Sequence, residues 1–443
     1  MRRRCGEFGN GGLWMAIRSQ VTCPHCWFAF APYDALWISE HADLLGDVRL
    51  GPDHARRFLP DRFTPAGAAL DARGQACHRL ACPSCHLELP RAVFELAPLV
   101  LSTLGAPACG KSYFLAAMTW TLRGLLPKQF ALGFADADNL LNARIQQYES
   151  AQFLNPQSDE LVELPKTETH GDLYSTVLYD GQPVQYLRPF MFRLAPLAHH
   201  PRSAQAQALG RVLCLYDNAG ESFLPGADTT ANPVTRHLAT SHALFFLVDP
   251  MQDARFRREV QARRPQAADP QHTLAPGRIS PLRQETVLHE AAERARRYRR
   301  PASQGRPLPM TIVVVTKFDT WWPLLPYPQG RLPPAWTYSA AAGIAGVRLR
   351  EVERVSAEVR RLLRALCPEL VGAVETLCPE AVYIPTSATG CAAEVDPKTG
   401  QRGFRPKNVR PLWTETPLLY FLARWARGLV GYVAKPGASE RRT

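Results

Sequence analysis

The amino-acid sequence predicts an α/β protein: a doubly wound, mostly parallel sheet with large insertions, preceded by a small cysteine-rich module. Three observations predict it. Two C-P-x-C turns, Cys23-Pro24-His25-Cys26 and Cys82-Pro83-Ser84-Cys85, precede the main body. A strand-sized apolar run over residues 99–104 leads into Gly105-Ala106-Pro107-Ala108-Cys109-Gly110-Lys111-Ser112 and then into a helical stretch. Three more buried-type runs, over residues 211–216, 310–315 and 381–385, each end in a short polar motif. The 443 residues leave room for two or three domains at about 100–200 residues each. A hydrophobic content of 46% with 21% charged residues excludes a wholly disordered chain. No apolar run reaches the ~18–20 residues of a membrane-crossing helix.

The first 20 residues form a basic tail without the apolar core of a secretory signal, which predicts a cytoplasmic protein. The odd count of eleven cysteines fits a reducing compartment, where thiols bind metal or fill cores. Five of them fall between positions 23 and 85. Each C-P-x-C turn aims two thiolates and several backbone N–H groups at one centre, as a tetrahedral four-cysteine zinc site requires. Cys23, Cys26, Cys82 and Cys85 are therefore the predicted Zn²⁺ ligands, with Cys77, His78 and His86 as possible substitutes outside the paired turns. Residues 21–92 read as a zinc ribbon with a long insertion. Four cysteines leave no open position on the metal, so its role is structural or partner-docking.

Residues 93–434 form the main domain. The segment at 105–112 is G-x-x-x-x-G-K-S between a strand and a helix, the context that gives the pattern meaning. Gly105, Cys109, Gly110, Lys111, Ser112 and Tyr113 would line a phosphate cradle of backbone N–H groups, strengthened by the helix dipole. Lys111 would bridge the β- and γ-phosphates and the Ser112 hydroxyl would ligate Mg²⁺. Cys109 reads as a small spacer. Asp217-Asn218-Ala219-Gly220 follows the 211–216 run, so that Asp217 serves the Mg²⁺ shell and the Gly220 N–H meets the γ-phosphate. Thr316-Lys317-Phe318-Asp319 follows 310–315. There Asp319 can accept from the guanine N1–H and N2–H₂ edge, while the Lys317 stem covers the base. Thr386-Ser387-Ala388-Thr389 follows 381–385, and a backbone N–H at Ser387 or Ala388 can read the guanine O6. In this order, each after a strand, the motifs specify GTP with Mg²⁺.

From Gly105 to Ala388 these motifs resemble the TRAFAC class of P-loop GTPases. The D-x-x-G-E at Asp217–Glu221 and the N-terminal cysteines are also similar to bacterial double-GTPase-type proteins of multi-gene conflict systems. The resemblance implies a P-loop GTPase core, GTP hydrolysis, and protein partners such as another GTPase or an activating protein; a link to defence follows by association only. Three departures stand out. This chain has one Walker-type lysine motif, so a second GTPase would be another polypeptide. Thr316 stands where many GTPases carry Asn. Glu221 stands where Ras-like proteins place the water-orienting Gln; either it orients or deprotonates the attacking water, or it is a solvated residue of a mobile switch. Lys111 and Asp217 are separated by 105 residues, within which Thr167 is the preferred Mg²⁺-sensing switch threonine over Thr169. An ordinary loop threonine is the competing reading.

Insertions are expected over about 127–209, 251–308 and 320–345, and residues 435–443 read as a disordered tail. Residues 251–308 contain thirteen arginines and no lysine against six acidic residues, more than half of the chain's net +12. Such a segment suits bidentate contacts to phosphate or carboxylate, which leaves nucleic acid, an acidic partner or a solvated helix as readings. Residues 282–300 read as a helix, and 265–281 as turn-rich. Trp321-Trp322 forms a cap, a partner groove or ordinary loop packing. Two alternatives to a GTP-driven switch remain: a P-loop ATPase, and a zinc-ribbon scaffold for protein or nucleic acid with nucleotide as a structural ligand.

Overall fold

The computed structural model describes residues 17–165, 171, 173–223, 233–263, 283–299, 309–397 and 399–433. Seven strands form the central sheet: β1 (Ala97–Gly105), β2 (Leu132–Asp136), β3 (Phe190–Pro196), β4 (Arg211–Asp217), β5 (Ala243–Val248), β6 (Met310–Val315) and β7 (Val382–Pro385). Their order is β2-β3-β4-β1-β5-β6-β7. Strands β4, β1, β5, β6 and β7 pair in parallel, whereas β3 runs antiparallel to both its neighbours at one edge. The apolar runs explain why these strands are central. All six residues of Ala-Leu-Phe-Phe-Leu-Val in β5 are buried, as are the last five of β6. Unbroken burial of this kind belongs to parallel strands covered on both faces. Each large apolar side chain so buried is worth about 1.5–3 kcal/mol.

The main helices are α1 (Lys111–Phe130), α2 (Ala143–Phe153), α3 (Ala254–Arg263), α4 (Gln284–Tyr298), α5 (Leu349–Leu366), α6 (Pro368–Leu377) and α7 (Thr416–Trp425). Pro127 lies inside α1, which ends only at Ala131, a left-handed C-cap whose N–H bonds to Leu126 O. The stretch read as a 127–209 insertion therefore begins within a core helix, and it supplies β2 and β3 to the sheet. The Asp180-Gly181 turn joins Tyr174–Tyr179 to Gln182–Leu187 as a separate hairpin. Arg123 of α1 holds this region by pairing with Asp136 at 2.8 Å and Glu149 at 3.0 Å. Cys367 separates α5 from α6, where Pro368 can start a helix but not continue one. The last helix, α7, is ten residues long. It stops at Trp425, and the chain turns at Gly428 to place Gly431–Tyr432 beside Ile344–Val347.

The Trp pair is resolved as packing. Trp321 is fully buried among Phe318 and Phe256, and its indole N–H donates to Thr316 O at 2.8 Å. The arginine-rich region is partly internal too. Arg255 pairs with Glu369 and Asp253, Arg263 with Glu259, Arg283 with Glu285 and Arg296 with Glu293. Arg294 is fully buried; it pairs with Glu290 at 3.0 Å, donates to Ser222 O and lies over the Phe223 ring. The turn-rich 265–281 stretch and the 435–443 tail lie outside the described residues. Among the described residues, no helix is long and apolar enough to cross a membrane.

Candidate functional site

The cysteine module is built from two nearly identical knuckles. Cys23 N donates to Phe28 O and Cys82 N to Leu87 O, while Trp27 N returns to Cys23 O and His86 N to Cys82 O. Trp27 (φ 64°) and His86 (φ 62°) both take the left-handed conformation needed to close the turn. The backbone N–H groups of His25 and Ser84 point at the sulfurs of Cys23 and Cys82, at 3.3 and 3.4 Å. All four thiols are buried and lie within 4.8 Å of one another. Two of the separations are Cys23–Cys85 at 3.8 Å and Cys26–Cys82 at 3.6 Å. A tetrahedral zinc with Zn–S bonds of about 2.3 Å places its sulfurs roughly 3.8 Å apart, so the cluster fits the ion. Cys77 instead contacts Asp71, and His86 pairs with Asp47 at 2.8 Å. Two of the substitutes read from sequence are thus engaged elsewhere, and the third, His78, is exposed outside the four-thiol group.

At the carboxyl ends of the parallel strands, β1 continues into the 105–112 loop and α1. Gly110 (φ 93°) and Ala108 (φ 62°) take left-handed conformations that turn the loop into the helix. Lys111 is buried and folds its ammonium back onto Gly105 O at 2.9 Å and Ala106 O at 3.2 Å. Burial raises the Cys109 thiol pKa, although the Lys111 charge acts the other way. A neutral spacer thiol is the result. Thr103 Oγ1 of β1 donates to Tyr216 O of β4 at 2.9 Å and approaches Asp217 Oδ1 at 3.3 Å, fixing the buried carboxylate beside the loop. Gly220 packs directly on the loop: a Cβ there would lie 2.7 Å from both Pro107 N and Pro107 Cδ. Gly220→Ala is therefore expected to push residues 218–220 off the loop, weakening ligand binding at the loop more than thermal stability. Comparing titration calorimetry with melting curves checks this.

The far side of the loop is held by β5 and β6. Thr316 Oγ1 donates to Cys109 O at 2.9 Å, tying the loop to the end of β6. Lys317 (φ 58°) reaches across to Asp249 Oδ2 at 2.5 Å and Ala108 O at 3.4 Å. Phe318 N donates to Thr386 O, which brings the segments after β6 and β7 together. Ser387 Oγ donates to Asp319 and accepts from Gly390 N at 2.8 Å. Gly390 (φ 68°) admits no side chain, because a Cβ would lie 2.0 Å from Arg410 O.

The structure thus brings together Gly105, Cys109, Gly110, Lys111, Ser112, Asp217 and Gly220 around one loop. Thr316 and Lys317 contact that loop, and Asp319 follows them and pairs with Ser387, with Ala388 next in the chain. Tyr113 faces outward from this group: its hydroxyl accepts from Leu164 N at 2.8 Å and its ring meets Phe404. Thr167 lies outside the described residues. Glu221 has its backbone in a short helical turn, Gly220–Phe223, but its side chain lies outside what is described.

Several neighbours were not among the site residues read from the sequence. Asp249 is fully buried and is braced by Gln284, whose amide meets Asp249 N at 2.8 Å and Asp249 O at 3.0 Å. Its signal was available, since it ends an apolar strand as Asp217 does. Tyr148 of α2 is hydrogen-bonded to the Ser112 side chain and accepts from Arg144 Nε at 3.0 Å. No local pattern marked it. Tyr216 donates to Pro24 O of the first knuckle and meets the Trp27 ring at 5.6 Å, so the cysteine module docks on β4. His237 stacks on Tyr216 at 4.4 Å and its ring nitrogens meet Ser102 Oγ and Asn218 Oδ1, both at 2.5 Å. Burial pushes the His237 pKa down to about 3, so this ring is neutral at physiological pH.

A glycine-bearing loop at a helix N-terminus, a buried ammonium, a hydroxyl and a carboxylate can together hold a polyphosphate and a divalent cation. Their position where β1 lies between β4 and β5 is the crevice that open α/β sheets use for ligands. No protein-family model matches the chain, and no curated protein matches its sequence.

Proposed function

We propose that the protein is a GTP-binding and GTP-hydrolysing switch with a zinc-stabilised N-terminal module. One observation carries the reading. The 105–112 loop, the Asp217–Gly220 segment, the Thr316–Asp319 segment and Ser387 converge on one crevice, although more than 280 positions separate the first from the last. Independent uses of four such motifs would give no reason for convergence. Ser112 and Asp217 would hold Mg²⁺, which would neutralise charge on the β- and γ-phosphates. Lys111 would turn from the Gly105 and Ala106 carbonyls toward those phosphates, and the Ser112 hydroxyl would exchange Tyr148 for the metal. The Gly220 N–H would sense the γ-phosphate, so that its loss releases the segment behind Asp217. Asp319, oriented by Ser387, would accept the guanine N1–H and N2–H₂ pair.

Base recognition is the most discriminating part. Asp319→Asn turns an acceptor pair into a mixed donor and acceptor, which suits xanthine better than guanine. The expected result is a loss of GTP affinity by about a hundredfold or more, with a matching gain for xanthosine triphosphate. Competition binding with both nucleotides reads it; equal affinities for GTP in the variant and wild type would reject the role. The scaffold reading is less favoured. Five of the arginines that suggested a nucleic-acid face pair with the chain's own carboxylates, and Arg294 is buried.

A further inference from the structure

A second cavity, of about 660 Å³, lies toward the amino ends of the parallel strands, opposite the 105–112 loop. Its walls are the segment after β3, the end of α7 with the turn that follows, and the Ile344–Leu349 region. Register fixes its place. Leu194 of β3 pairs with Arg211, which pairs with Ala97 at the start of β1. The nine residues of β1, at about 3.3 Å each, put roughly 30 Å between this end of the strand and the loop.

Three arginines line the cavity and no acidic residue does. Arg424 is engaged with Glu353 at 3.2 Å. Among the described residues, neither Arg202 nor Arg427 has a carboxylate within 4.0 Å. Arg427 follows the end of α7, where helix carbonyls favour a cation. Arg202 comes from a different segment and has no such reason to be there. It is held in place instead. His200 is buried and bridges two walls, accepting from Arg202 N at 3.0 Å through Nδ1 and meeting Leu429 O at 3.2 Å through Nε2. The Arg202 guanidinium lies against Gly428 (φ 101°), where a Cβ would sit 2.6 Å from Arg202 Nη1. The lining also includes four apolar residues, Ile344, Leu349, Ala423 and Val430. The volume falls in the range of about 300–1,000 Å³ typical of small-molecule sites.

We propose that this cavity binds a small phosphate monoester, its phosphate held by Arg202 and Arg427 and its organic body against the apolar residues. Guanidinium groups match phosphate and carboxylate oxygens in pairs. A phosphate monoester carries close to two negative charges at neutral pH and so balances both arginines, which one carboxylate does not. The site is separate from the 105–112 loop, and its test does not depend on which nucleotide that loop takes.

Titration calorimetry on the full chain, with phenyl phosphate, benzoate and inorganic phosphate as probes, tests it. Phenyl phosphate is expected to saturate one site, with benzoate and inorganic phosphate each weaker by about tenfold or more. Arg202→Ala and Arg427→Ala should each weaken phenyl phosphate by about tenfold or more. Both side chains are exposed, so melting curves should stay at the wild-type position, and Lys111→Ala should leave the binding unchanged. The proposal is overturned by binding that survives the double arginine variant or disappears in Lys111→Ala. Benzoate or inorganic phosphate binding as tightly as phenyl phosphate would overturn it too, as would the absence of saturable binding.

Discussion

Lys111→Ala is expected to reduce single-turnover GTP hydrolysis by on the order of 10²–10³-fold, the cost of removing one preorganised donor from a transition state that gathers negative charge. The structure makes the residue hard to replace. Its ammonium is enclosed by the loop it serves, on Gly105 O and Ala106 O. A water at the surface cannot reach that position, because Lys111 is only 7% exposed. Lys111→Arg should not rescue. The loop is closed from below, where a Cβ at Gly105 would already meet Leu247 O at 2.6 Å and Cys109 Sγ at 2.7 Å, leaving little room for a planar guanidinium. Quenched-flow hydrolysis at saturating nucleotide separates this loss from weaker binding. A variant with wild-type single-turnover rate would remove Lys111 from the chemistry.

Cys82→Ser is expected to abolish stoichiometric zinc and to lower the melting temperature, because a structural zinc contributes its binding free energy to folding. The effect should extend beyond the module. Pro24 O receives the Tyr216 hydroxyl, Tyr216 stacks on His237, and His237 holds Asn218 within the Asp217–Gly220 segment. Loss of the knuckle leaves the Tyr216 hydroxyl buried without its acceptor, which costs about 1–3 kcal/mol. Nucleotide affinity should therefore fall with zinc content when the wild-type chain is titrated with a chelator. Metal analysis alongside the melting curve reads both effects. A Cys82→Ser chain that melts with the wild type would show that the cluster carries no structural metal.

The parts of the molecule legible in sequence share one property: the signal is local. The apolar runs of β1, β4, β6 and β7 announce buried parallel strands without reference to anything distant. The two C-P-x-C turns announce their own knuckles, and the geometry brings their four thiols together. What was hidden depends on contacts between distant segments. β2 and β3 fall in the stretch read as an insertion, which was set by the 105 residues between Lys111 and Asp217, yet α1 runs through Pro127 to Phe130. Arg294 looked like a surface charge in an arginine-rich stretch, but Ser222 O, Glu290 and the Phe223 ring give it a buried place. Tyr148 sits on Ser112 only because α2 folds back over the start of α1. Asp249 was the exception, carrying the same strand-end signal that identified Asp217.

Single-turnover hydrolysis of GTP against ATP by the full, zinc-loaded chain with Mg²⁺ separates a GTP-driven switch from a P-loop ATPase. GTP is expected to be bound and cleaved and ATP to compete only weakly, since adenine offers Asp319 no N1–H and N2–H₂ pair. Equal use of ATP, or GTP bound without any cleavage, would contradict the GTP-driven switch.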